Sequence, residues 1–118
     1  MALIPVKYGS GYNLTQLEQA VAIVVVNQGD GSIVIHQGGV EMGQGIATQI
    51  EQIASYVLNV PMQLIFVDGA KTSITPNPTS TGGSTGTAYH GEAVKQTCQQ
   101  LRERLTEFGY RMLKESGG

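Results

Sequence analysis

The chain has 118 residues and a formal net charge of −2, and its seven basic residues form no dense run. This length is typical of one domain with its own core, so we expect residues 1–118 to form a single domain. The weak charge excludes a nucleic-acid-binding surface built on basic residues. The single cysteine, Cys98, excludes a disulfide scaffold and paired-cysteine metal sites. The longest apolar run, residues 20–26, is far shorter than the ~20 residues of a membrane span, so we expect a soluble, cytoplasmic protein with no membrane partner.

The first half of the chain alternates apolar runs with turn residues. Residues 2–6 are apolar and compatible with a strand. Residues 20–27 and 32–37 are rich in β-branched side chains, and the Gln28-Gly29-Asp30-Gly31 turn between them predicts a hairpin. Helical spacing follows, and its apolar positions are Ile46, Ile50, Ile53, Ala54, Val57 and Leu58. Pro61 ends this helix.

The second half contains one strand, one long loop and one long helix. Residues 63–67 predict a third strand, and residues 72–87 have the composition of a loop, with nine Ser or Thr and no charge. A helix is predicted over residues 88–113, with an apolar face formed by Ala93 or Val94, Cys98, Leu101, Leu105, Phe108 and Met112. The strand–helix–strand unit in the middle predicts a parallel pair. The fold class is therefore α/β (α+β), a two-layer sandwich in which a small mixed sheet carries two helices on one face.

Two glycine-rich segments precede the two helices. The first glycine window, residues 38–45, joins a strand to a helix start, where unpaired N–H groups attract anions. Its glycines are also compatible with a tight strand–helix connection that binds no ligand. A dinucleotide-binding motif is matched only in part, by Gly43-Gln44-Gly45. A P-loop is excluded because no lysine lies between Lys7 and Lys71.

The second glycine window, residues 81–87, leads directly into the long helix. Its small and hydroxylated residues predict a second anion site, although Thr87 or Ser84 would also suit a helix cap. The histidines His36 and His90 are far apart in sequence and no acidic pair lies at metal-ligand spacing, so we expect no protein-bound metal. Cys98 lies on the apolar helix face, which favours a buried, inert thiol.

Together the two windows resemble the molybdenum cofactor-binding domain of the xanthine dehydrogenase and aldehyde oxidase family. The family segment Gly-x-Glu-Met-Gly-Gln-Gly is matched by residues 39–45, and similar residues occur in order across about residues 2–108, namely Ile4 to Gly9, Asp30-Gly31-Ser32, Thr48, Gln52-Ile53-Ala54, Pro61, Pro76-Asn77, residues 81–87, Gly91-Glu92-Ala93-Val94 and Cys98. The sequence departs from the family at Gly82, Gly83 and Gly86, where the family usually has Thr-Ala-Ala-Ser and then a hydroxyl two residues later.

The resemblance implies roles for seven residues and names a cofactor, molybdopterin in the molybdenum cofactor. Gly43 and Gln44 match residues that contact the pyranopterin, and Gly83 matches a residue beside the molybdenum. Residues matching Ser84, Thr85, Gly86 and Thr87 hold the phosphate end. No catalytic residue is implied, because the family's general-base glutamate has no counterpart in this sequence.

The family reaction is hydroxylation of a heterocycle or aldehyde, and it also uses iron–sulfur and flavin domains that this sequence does not contain. The resemblance therefore implies a cofactor-binding module that is not catalytically complete alone. Its expected partners are further copies of itself or the remaining chains of a molybdoenzyme. The alternative is a stand-alone protein derived from that domain, which binds another anionic small molecule or serves as a structural oligomerisation module.

Overall fold

The computed structural model of the protein describes residues 1–117. It contains strands β1 (Ala22–Val26), β2 (Ile33–Gln37) and β3 (Ile65–Asp68), and helices α1 (Ile46–Leu58) and α2 (Glu92–Glu115). Short 3₁₀ turns occur at Thr15–Leu17 and Met62–Leu64, and a π-helical turn at Thr87–Gly91 leads into α2.

The sheet has the order β1-β2-β3, in which β1 and β2 are antiparallel and β2 and β3 are parallel. The hairpin closes through a 2.8 Å hydrogen bond from the Asn27 N–H to the Ser32 carbonyl, and Gly31 supplies the positive φ of 73° that the turn requires. The predicted hairpin and the predicted mixed sheet are confirmed.

Both helices cover the same face of the sheet. Ile33 and Ile35 of β2 point into the core and are at most 4% exposed. They belong to one cluster with Ile65 of β3, side chains of α1 and two side chains of α2, Val94 and Cys98. Burying each large apolar side chain contributes roughly 1.5–3 kcal/mol. The predicted two-layer arrangement, with two helices on one face, is confirmed.

Two sequence predictions are corrected. Residues 2–6 form no strand in the structure, and Leu3 is 98% exposed. A strand needs a hydrogen-bonded neighbour, and Pro5 removes one donor from this segment. The third strand begins at Ile65 rather than residue 63, because the turn Met62–Leu64 follows Pro61.

The predicted apolar face of α2 is only half covered. Val94 and Cys98 are fully buried, whereas Leu105, Phe108 and Met112 are each about half exposed.

Within residues 1–117 no helix is both long and apolar enough to cross a membrane.

Candidate functional site

The first glycine window folds around the carboxylate of Glu41. This side chain accepts hydrogen bonds from the backbone N–H groups of Gly43 (3.0 Å), Gly45 (2.9 Å) and Ala47 (3.1 Å). These N–H groups lie before and in the first turn of α1, where a helix has no partners of its own for its donors. The start of α1 is therefore occupied by an anion from the chain itself.

The hydrogen bonds also explain the acidity of Glu41. They hold the pKa of its carboxyl below the ordinary value, with the N–H groups of Gly45 and Ala47 as the largest causes. Gly43 and Gly45 have positive φ values of 95° and 82°, which lets the loop curl around the carboxylate. Glu41 therefore caps the start of α1.

Gln44 braces the same loop. Its Oε1 accepts from the Met42 N–H at 2.6 Å, and its Nε2 donates to the Val40 carbonyl at 2.8 Å. Both the oxygen and the nitrogen of the Gln44 amide are therefore hydrogen-bonded within the first glycine window. Gln44 nevertheless lies at the surface and lines a cleft next to the second window.

Gly38 and Gly39 serve packing rather than ligand access. A Cβ at Gly38 would lie 2.3 Å from the Cβ of Pro78, and one at Gly39 would lie 2.8 Å from both Gln37 Oε1 and the His90 ring. Gln37 closes this corner by accepting from the Gly39 N–H and donating to the Gly39 carbonyl. For these two positions the interpretation without a ligand holds.

The second glycine window is held from both sides by distant backbone. The Gly11 N–H donates to the Gly83 carbonyl at 2.9 Å, and the Tyr12 hydroxyl donates to the Ser80 carbonyl at 2.7 Å. Gly83 and Ser84 both have positive φ, 59° and 56°. Glycine is favoured at position 83, because a Cβ there would also lie 3.2 Å from the Gly11 carbonyl oxygen.

The helix start that follows this window is open. Thr85 is buried and its hydroxyl donates to the Gly82 carbonyl, while the Thr87 hydroxyl bonds Gln49 of α1. The suggestion that Thr87 or Ser84 caps this helix is wrong, since no side-chain cap forms here in the described part of the chain. Within residues 1–117, no acceptor faces the backbone N–H groups of Gly86, Thr87 or Ala88.

The two windows meet at one cleft. The Val40 N–H donates to the Thr81 hydroxyl oxygen at 3.0 Å and ties the windows together. A cavity of about 300 Å³ opens beside this contact, and it is lined by Met42, Gln44, Ile46, Gln49, Thr81, Gly82, Ser84, Thr85, Gly86 and Thr87. Five of the seven residues implied by the resemblance are among these. Gly43 and Gly83 shape the two loops but do not line the cavity.

Three supporting residues were missed by sequence reasoning. Gly11 and Tyr12 come from a segment without a clear pattern, and nothing local indicates that they contact a loop about 70 residues away. Thr81 belongs to the second window, but its bond to Val40 depends on the tertiary fold. The only sequence signal was the Gly9-Ser10-Gly11 break, which marks a bend and no partner.

Two further titratable residues, Cys98 and His90, are fully buried. Cys98 is fully buried, so the prediction of a buried thiol is confirmed. Desolvation raises the pKa of this thiol to about 11, which favours the predicted low reactivity. His90 is also fully buried, and among residues 1–117 neither ring nitrogen has a hydrogen-bond partner. Burial lowers the pKa of His90, which keeps the ring neutral.

A comparison with protein families identifies the family of this chain. The family model for the molybdopterin cofactor-binding domain matches residues 1–117. The chain belongs to this family. The resemblance drawn from the sequence and the cofactor class it named are therefore confirmed, while the roles of individual residues stay predictions.

Similar proteins include much longer oxidoreductases. Aldehyde oxidase 3 of Rattus norvegicus is 45% identical over 105 residues, which cover 89% of this chain and 8% of that protein. Xanthine dehydrogenase of Drosophila pseudoobscura pseudoobscura is 41% identical over the same length, with the same coverage. The chain thus spans less than a tenth of these relatives. A crystal structure of the Cu,Mo-CO dehydrogenase has the same fold, with a TM-score of 0.76 at 24% identity over 82% of this chain and 12% of that one.

Proposed function

We propose that the cleft between the two glycine windows binds the phosphate-bearing end of the molybdopterin cofactor, and that the helix start at residues 86–88 is the phosphate site. The observation that carries this proposal is the contrast between the two helix starts. The N–H groups at the start of α1 are bonded to Glu41, whereas those of Gly86, Thr87 and Ala88 make no hydrogen bond within residues 1–117, and Gly86 and Thr87 line the cleft. An anion at these N–H groups would also gain from the dipole of the long helix that begins there.

The residues present fit such a group. Gly86 and Ser84 both line the cleft, and the Ser84 hydroxyl is a further donor. No lysine or arginine lines the cavity, so N–H groups and hydroxyls would carry the recognition. Gln44 would contribute by stabilising the conformation of the first window, because its amide oxygen and nitrogen are both hydrogen-bonded within that window.

When bound, the molybdenum cofactor supplies the redox chemistry of its enzymes. This chain would bind and orient the cofactor and keep the phosphate in place, and other parts of a molybdoenzyme would complete the reaction site. We propose such parts as partners, because the relatives that share this segment are far longer than the segment itself. Association with further copies of the chain is the other form of partnership that the sequence suggested.

Isothermal titration of the purified chain with isolated molybdopterin tests the binding proposal. Gly86→Pro removes one free N–H from the cleft, and the φ of −50° of Gly86, the residue just before the π-helical turn, suits proline. Gly86→Ala is the matched control, because it keeps the N–H and its Cβ would lie 3.7 Å from Ile46 Cδ1, an ordinary contact. We expect Gly86→Pro to weaken binding by about tenfold, the effect of one charge-assisted hydrogen bond.

The outcomes separate the proposal from its alternatives. Binding that Gly86→Pro weakens and Gly86→Ala leaves intact supports a phosphate site at this helix start. Equal binding by both variants would move the site elsewhere. If the chain binds inorganic phosphate or a nucleotide but not molybdopterin, the stand-alone anion-binding function replaces the proposed one.

A further inference from the structure

The second half of α2 carries an apolar stripe that residues 1–117 leave largely exposed. Its residues are Leu101, Leu105, Phe108 and Met112, which we call the α2 stripe. The stripe continues the buried positions Val94 and Cys98 with spacings that alternate between three and four residues. This is the heptad spacing of a helix that packs along another helix. The next position in the series is Glu115, so the stripe ends at Met112.

Packing within the chain stops part-way along this series. Val94 and Cys98 are 0% exposed, whereas Leu105, Phe108 and Met112 are 53%, 56% and 49% exposed. Near this point Arg102 Nη1 donates a 3.1 Å hydrogen bond to the Val57 carbonyl, one residue before α1 ends. From there α2 extends for about 20 Å to Glu115, at 1.5 Å per residue.

The flanks of the α2 stripe are basic. Arg102, Arg104 and Arg111 occupy the positions that border the two edges of the stripe, and they are the only arginines in the chain. Glu103 and Glu107 lie farther around the helix. Arg111 is 3.4 Å from Glu107, but this pair is exposed and contributes little.

These charges argue against a second copy of the chain as the occupant. In an antiparallel pair of α2 helices, Arg104 of one copy would lie opposite Arg111 of the other. In a parallel pair, Arg104 would face Gly109 and Thr97 would face Arg102. Neither orientation provides an ion pair across the interface, and the first places like charges together.

We propose that the α2 stripe is a docking surface for an amphipathic helix of a partner protein, one that carries acidic residues beside its own apolar stripe. Leucine-type side chains of the partner would cover Leu105, Phe108 and Met112. Its carboxylates would lie opposite Arg104 and Arg111 and fix the orientation of docking. This site is separate from the cleft between the glycine windows, so it does not depend on the proposed cofactor function.

The test uses the full chain and two synthetic helical peptides with leucine at the core heptad positions. One peptide has glutamate at every flanking position and the other has lysine, and they are otherwise identical. Binding is measured by fluorescence anisotropy at low and high salt. We expect the acidic peptide to bind at least about tenfold more tightly than the basic one, with the preference falling as salt increases.

Three variants check where the peptide binds. Phe108→Asp should abolish binding, and Tyr110→Asp, on the opposite side of the helix, should leave it unchanged. The double variant R104E/R111E should reverse the preference toward the basic peptide. All four substituted positions are exposed, so melting temperatures within about a degree of the parent chain will show that the fold is intact.

Several results would overturn the proposal. Equal affinity for the two peptides, or no binding of either, would show that the arginines do not select an acidic helix. Self-association of the chain in sedimentation equilibrium that Phe108→Asp removes would make a second copy the occupant.

Discussion

The two glycine windows look alike in sequence, yet the structure uses them in opposite ways. Each is followed by a helix, and each predicts an anion site on the same argument. In the first window, Glu41 folds back on the start of α1 and bonds three N–H groups. In the second, the corresponding groups at residues 86–88 have no acceptor within residues 1–117. A glycine-rich helix start is therefore a ligand site only when the chain does not supply the anion itself.

The largest expected effect concerns the part of the first window that packs against its surroundings. Gly38→Ala would place a Cβ 2.3 Å from the Cβ of Pro78, so the backbone must shift. We expect the free energy of unfolding to fall by about 1–3 kcal/mol in urea denaturation. Gly82→Ala in the second window is the control, because its Cβ would meet only the Tyr12 hydroxyl, at 3.4 Å, and the expected change is below about 0.5 kcal/mol. Equal losses would remove this distinction between the windows.

A second variant should make the first window resemble the second. Glu41→Ala removes the carboxylate and leaves the N–H groups of Gly43, Gly45 and Ala47 without an acceptor. We expect the melting temperature to fall by several degrees and to recover in part when sulfate is added. Glu103→Ala makes the same change in net charge at an exposed position of α2 and should show neither effect. A variant whose melting temperature does not respond to sulfate would mean that Glu41 is not the group that fills the α1 start.

A smaller effect is expected from pH. Burial lowers the pKa of His90 below its ordinary value of about 6.5, because the charged ring is disfavoured in the core. Well above pH 6.5 the ring is neutral in both folded and unfolded chains, and His90 adds no pH dependence. As the pH falls below 6.5 the unfolded chain takes up the proton first, so stability declines, by at most about 1.4 kcal/mol per pH unit.

Denaturation between pH 7.5 and 5 measures this decline, and His90→Gln should flatten it. The carboxylates contribute in a lower window, since the pKa of Glu41 is held below 4.5 and its stabilising effect is lost only as the pH falls through that range. A parent chain whose stability is constant from pH 7.5 to 5 would contradict the role assigned to His90.

Much of the fold follows from the sequence because its elements depend on local patterns. β-branched runs around Gly29 and Gly31 specify the hairpin, and helical spacing from Ile46 to Leu58 gives both bounds of α1. The strand predicted at residues 2–6 does not form, because an apolar composition does not supply a neighbouring strand. The exposed end of α2 was missed for a similar reason, since its heptad spacing predicts a covered face but not which chain covers it.

The site was predictable only in outline. Glycines and hydroxyls identified the two windows, and family resemblance named a cofactor. The hydrogen bonds that distinguish the windows join residues that are separated in sequence. The Glu41 carboxylate accepts from the Ala47 N–H, the Gly11 N–H donates to the Gly83 carbonyl, and the Val40 N–H donates to the Thr81 hydroxyl oxygen. Such contacts depend on the tertiary arrangement, and no local spacing encodes them.

A phosphate titration of the ¹⁵N-labelled chain, followed by amide chemical shifts, tests the central claim most directly. We predict saturable shifts for Gly86, Thr87 and Ala88, with no comparable shifts for Gly43, Gly45 and Ala47. Shifts at the first window, or at both windows equally, would contradict the claim that Glu41 closes one helix start and leaves the other as the anion site.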